Sequence, residues 1–173
     1  MKLKIINIYL LLANAASLFF ILRTLMDSIS AVSPAQLFLT ILVIAAILYS
    51  AYASHMLLMK RREMEQLHFI RYNFWYNIVQ IPSISLYGFI YMAKLGVMFI
   101  ATLANKNGII NLDLKLDLFQ VEVNFLYNPE AHIYFLGINI VPLVIAILLN
   151  GSIEKIEKEK QDDEVRAFAS QIN

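Results

Sequence analysis

Apolar residues gather into four long blocks separated by short polar stretches, and this pattern predicts four membrane-spanning helices. The first covers 5–22, with Lys2 and Lys4 before it and Arg23 after it. Ala13-Asn14-Ala15 has the small residues of a signal-peptide cleavage site, yet 17–22 carry the apolar block past it, which favours an uncleaved helix. Ser33-Pro34-Ala35-Gln36 then reads as a helix start, with a Ser cap, Pro in the first turn and Gln three residues after the cap. The second span runs over 35–58 and ends at Lys60, Arg61 and Arg62. Phe69, Tyr72, Phe74, Trp75 and Tyr76 crowd the approach to the third block, where aromatic rings favour the headgroup level, so 63–76 reads as a short helix or turn at the interface.

The third span is 77–103, apolar throughout except for Pro82, Gly88, Gly96 and the cation Lys94. The fourth is 133–149, with Gly137, Asn139 and Pro142 inside it. Between them the period changes. Ile110, Leu112, Leu114, Leu116 and Leu118 alternate with Asn111, Asp113, Lys115 and Asp117, and the alternation resumes on the other parity at Val121, Val123 and Phe125. Period two predicts extended strand over 109–127, and the parity switch predicts a bulge or reversal at Leu118-Phe119. Gly151-Ser152 breaks the fourth block, and 151–173 reads as a charged tail, with Glu154 and Lys158 at favourable helical spacing.

The expected fold is therefore an all-α integral membrane protein. Four transmembrane helices occupy 1–150, a short extracytoplasmic β-like segment lies between helices 3 and 4, and a cytoplasmic tail follows. Composition agrees with a membrane protein, being 60% hydrophobic and 16% charged against about a quarter charged in soluble domains. The net charge of +1 gives no reason to expect nucleic acid as a partner. The absence of cysteine excludes disulfides and thiolate metal sites. Lys2, Lys4, Lys60, Arg61, Arg62, Arg71, Lys155, Lys158, Lys160 and Arg166 fall on one side of the expected spans, and Arg23, Lys106 and Lys115 on the other. The positive-inside rule then places both termini in the cytoplasm of a cell bounded by a plasma (inner) membrane.

Lys94 is the first candidate for function, because an ionisable group inside a span is costly. No carboxylate lies in any expected span, which leaves it a pore-lining role or a snorkelling contact with headgroups. Asn14, Asn139, Ser50, Ser54, Gly88 and Gly96 are candidates for helix packing. Pro82 and Pro142 are expected to kink their helices. Lys60, Arg61, Arg62 and Arg71 are candidate contacts with anionic lipid or a cytoplasmic partner. His55, His68 and His132 lack ligand spacing, and no catalytic motif or cofactor-binding signature is present. The expectation is a non-catalytic accessory, sensor or docking subunit, held in the lipid bilayer and joined to copies of itself or to a membrane or cytoplasmic partner. The alternative is a homo-oligomeric channel or membrane-perturbing effector, of the size found in prokaryotic defence systems, with Lys94 near the path. The strand segment has two uses open to it, as a lid over the helices or as an edge that pairs with a neighbouring copy.

Overall fold

A computed structural model describes residues 2–28, 33–59, 63–87, 89–106, 109–127 and 134–172. In chain order these form α1 (Lys2–Ser28), α2 (Pro34–Leu58), α3 (Glu63–Ile78), β1 (Pro82–Leu86), β2 (Phe89–Lys106), β3 (Ile109–Tyr127), β4 (Tyr134–Asn139) and α4 (Ile140–Ile172). The protein is thus a mixed α and β chain with a four-stranded antiparallel sheet, which corrects the all-α, four-span expectation. The block at 77–103 is the end of α3, then β1 and most of β2; the block at 133–149 contains β4 and the first turns of α4. Among the described residues, only α1 and α2 are long and apolar enough to cross a membrane.

Local chemistry explains the strands. Pro82 would break a helix interior, but as the first residue of β1 it removes no essential ladder bond. Leu86 pairs with Phe89, closing a tight hairpin in which Tyr87 adopts a φ of 50°. β2 is rich in β-branched and aromatic residues, which suit extended, pleated backbone. At α2 the Ser33 side chain accepts from the Gln36 N–H at 3.3 Å, and the Ser33 N–H donates to Gln36 Oε1 at 3.0 Å. Replacing Ser33 by alanine should cost about 1 kcal/mol of stability, read as a lowered denaturant midpoint, with Gln36→Ala giving a smaller loss.

The sheet order is β1-β4-β2-β3. β1 also pairs with the start of β2 (Ser83 with Met92), whereas β4 pairs with its end (Ile100 with Asn139, Asn105 with Tyr134). Two strands therefore share one flank of β2, and the long strand bends to serve both. The bend falls where Gly96 faces Gln120 and Met98 faces Asp117, so that Leu118 and Phe119 stand opposite Val97 alone. That extra residue is the physical origin of the parity switch in β3. Gly96 has a φ of 90°, and a Cβ built on it would come within 3.0 Å of the Ala13 Cβ. Here α1 packs directly on β2.

The helices pack α1 on α2, α2 on α3 and α3 on α4. Ile6, Leu10, Leu57, Ile70, Ile145, Leu149 and Ile153 form one core cluster at the N-terminal end of α1. Ile21, Ile47 and Tyr76 form a second towards its other end, covered by Leu95 of β2 and Val121 of β3. α4 continues without interruption through Gly151 into its charged half. Pro142 lies in the first turn of α4, where its nitrogen has no intrahelical acceptor to lose, so it starts the helix and does not kink it.

Candidate functional site

Two features distinguish the interior and the surface. The first is a directional chain of buried hydrogen bonds through three helices. The Tyr76 hydroxyl donates to Asn14 Oδ1 at 2.8 Å, and Asn14 Nδ2 donates to Ser50 Oγ at 3.0 Å. Ser50 Oγ donates to Asn73 Oδ1 at 2.9 Å, and Asn73 Nδ2 donates to Ser54 Oγ at 3.0 Å. Ser50 and Ser54 are one turn apart on α2, as Asn73 and Tyr76 are on α3, so a single face of each helix supplies two members. All five side chains are buried. Burial raises the Tyr76 hydroxyl well above the usual phenol range, and the Tyr72 and Tyr9 phenols add to the effect, so it stays protonated and able to donate. Asn77 and Gln80 extend the polar strip by donating to the Asn73 and Tyr76 carbonyls at 2.7 and 3.0 Å. Beside the strip lies a cavity of about 10 Å³, lined by Tyr9, Asn14, Tyr76, Leu95 and Pro142, with room for a single water. This arrangement locks helices together. It holds no nucleophile beside a base, and among the described residues no group of three His, Cys, Asp or Glu side chains is placed to hold a metal ion.

The second feature is the outer sheet face and its edge. Register places Leu103 beside Leu112 and Leu136, and Ala101 beside Leu114 and Ile138, on one face. Ile110, Leu112, Leu114, Leu116 and Leu118 of β3 are 59–73% exposed. Leu136 and Ile138 of β4 are exposed on the same face. The opposite face buries Met98, Ile100, Ser83 and Ser85. β3 is the outermost strand, and among the described residues its outer edge meets no other strand. A contiguous apolar face of this kind marks a contact surface.

The residues singled out in the sequence are distributed among these features. Asn14, Ser50 and Ser54 meet in the buried chain, which Asn73 and Tyr76 complete. Asn139 is not inside a helix; it precedes α4, donating its N–H to the Ile81 carbonyl at 2.8 Å and accepting from the Phe99 N–H at 3.3 Å. Gly96 packs a strand, not a helix, against α1. Arg71 pairs with Glu157 of α4 across an exposed seam, a contact worth under about 1 kcal/mol. Gly88, Lys60, Arg61, Arg62 and His132 lie outside the described residues. Lys94 is buried on the inner face of β2, and its register partner is Glu122 of β3. The picture of a lone cation in a kinked third helix therefore falls, because that helix is the β1–β2 hairpin.

Asn73 and Tyr76 were the residues that sequence reasoning missed. Their signal was present: Ile70, Asn73 and Asn77 recur at helical spacing and are all buried, a stripe with amides where an interfacial helix would carry only apolar groups. Compared with protein-family models, with curated proteins and with solved structures, the chain matches none.

Proposed function

We propose that this chain is a non-catalytic, membrane-integral docking subunit. In this reading α1 and α2 hold it in the bilayer, while the sheet offers its apolar face and open edge to a partner. One observation carries the reading: the two described helices that are long and apolar enough to span are covered mainly on one side. Only 39% and 22% of their most apolar stretches are buried, and Leu12, Phe19, Phe38 and Ile41 face outward. A core helix of a soluble domain would be wrapped by its neighbours. A removable leader would not supply Asn14 to a buried chain or Ala13 to the seat of Gly96.

An orientation with both termini in the cytoplasm of a plasma (inner) membrane is supported by where charge gathers. The cluster of Ile6, Leu57, Ile70 and Ile153 brings Lys2, Lys4 and the charged half of α4 to one end of the helices, next to the chain that leads into 60–62. Arg23 lies towards the other end of α1. Alkaline carbonate washing of membranes tests anchorage: the protein should stay in the pellet, and reporters fused at either terminus should be active only in the cytoplasm. Release into the supernatant as a folded species overturns the reading.

A further inference from the structure

We propose that the outer edge of β3 pairs with the same edge of a second copy of this chain, antiparallel, with the two-fold axis at Leu114. The inference deepens the docking reading and rests on it, by naming the partner. It starts from a symmetry in the sequence of the exposed edge, Leu112-Asp113-Leu114-Lys115-Leu116. With Leu114 facing the partner's Leu114, Asp113 faces the partner's Lys115 and Lys115 faces the partner's Asp113. One register thus makes the opposite-charge pair twice. Leu112 faces Leu116, and Ile110 faces Leu118, so the exposed apolar residues of both copies fall on one continuous face.

Other registers fail for stated reasons. An axis at Lys115 sets that residue against itself and Asp113 against Asp117, all like charges. A parallel, in-register pairing does the same at every charged position. A shift by one residue turns the leucines of one copy to the polar face of the other. An axis at Leu116 keeps a Lys115–Asp117 pair but runs into the bulge at Leu118-Phe119, which ends the straight part of the strand. The axis at Leu114 alone centres the pairing on the bulge-free stretch 111–117. Charges on an edge strand ordinarily hinder pairing; here their spacing directs it. Lys115 lies 2.8 Å from Asp117 on its own strand, a contact that the proposed pair leaves in place. Against a bilayer the incentive is greater, because unpaired strand N–H and C=O groups are far more costly in lipid than in water.

The chain has no cysteine, so single-cysteine variants of the full-length protein in mild detergent read the register directly. Facing residues of an antiparallel pair have Cα atoms about 4.5–5.5 Å apart, within disulfide reach. Leu114→Cys should therefore cross-link to itself on mild oxidation. Leu112→Cys should form under a tenth as much dimer alone, since its own copies would be roughly 14 Å apart at about 3.4 Å per residue. Mixing Leu112→Cys with Leu116→Cys should restore the cross-link. In native mass measurements the unmodified chain should be dimeric. Asp113→Lys should weaken the dimer about tenfold, and adding Lys115→Asp to the same chain should recover it. A monomer in both detergent and lipid discs overturns the inference, as does Leu112→Cys cross-linking alone as well as Leu114→Cys. Loss of the Leu114→Cys cross-link in protein that still resists carbonate sinks this proposal and spares the membrane reading. A cross-linked dimer that carbonate releases does the reverse.

Discussion

Gly96→Val should lower unfolding stability by about 3 kcal/mol or more and detach α1 from the sheet. Two independent costs combine. A β-branched residue at a φ of 90° is strained by roughly 1–3 kcal/mol. Its Cβ would also press on the Ala13 Cβ from 3.0 Å, an overpacking cost of about 1–3 kcal/mol. The costs separate experimentally. Gly96→Ala should lose about 2 kcal/mol, and adding Ala13→Gly should return only the steric part, because the backbone strain remains. Denaturant unfolding in micelles, followed by the fluorescence of Trp75, measures each variant. An unchanged midpoint for Gly96→Val would mean that α1 does not rest on β2 at this point.

The second large effect is at Asn73, which like Asn14 both accepts and donates through its own amide, and which joins Ser50 to Ser54 in the buried chain. Asn73→Leu keeps the approximate volume but leaves the Ser50 hydroxyl without its acceptor and Ser54 without its donor. A loss of about 2–3 kcal/mol is expected, from two stranded polar groups at roughly 1–1.5 kcal/mol each. Tyr76→Phe removes a donor at the end of the chain and should cost less. The sharper test is non-additivity. Once Asn73 is leucine, Asn14→Leu should cost much less than in the original protein, because the chain it served is already broken. Equal costs in both backgrounds would show that the bonds act separately.

Much of this architecture could be read along the chain. The lengths and continuity of the first two apolar blocks mark α1 and α2, and Ser33 with Gln36 marks where α2 begins. Alternation over 109–127 identifies β3, and its change of parity coincides with the two-against-one pairing at Leu118-Phe119. Hydropathy misled at 77–103 and 133–149 because it measures how far a residue avoids water and not what covers it. β2 is apolar since β1, β4 and β3 flank it and α1 and α4 pack against it, and such a strand reads like a membrane helix in one dimension. Pro82 and the run of Ile, Tyr, Val and Phe after it were the local signs of a strand.

The candidate site divides in the same way. Asn14, Ser50 and Ser54 stand out in sequence as polar or small residues in apolar helices, but which amide meets which hydroxyl depends on how α3 is laid against α1 and α2. Lys94 drew notice as a charge without a partner on its own segment; its register neighbour Glu122 comes from a different strand. Gly96 could be noted as a glycine, yet its need to be one arises only where α1 crosses at Ala13. The sequence by itself determined two helices long and apolar enough to cross a membrane, the cap of α2 and the alternating, charge-symmetric edge of β3, because propensity, periodicity and local hydrogen bonding act over a few residues. Only the tertiary structure decided the sheet, its bend and the buried polar chain, because each depends on long-range contacts that a one-dimensional pattern of apolar positions does not encode.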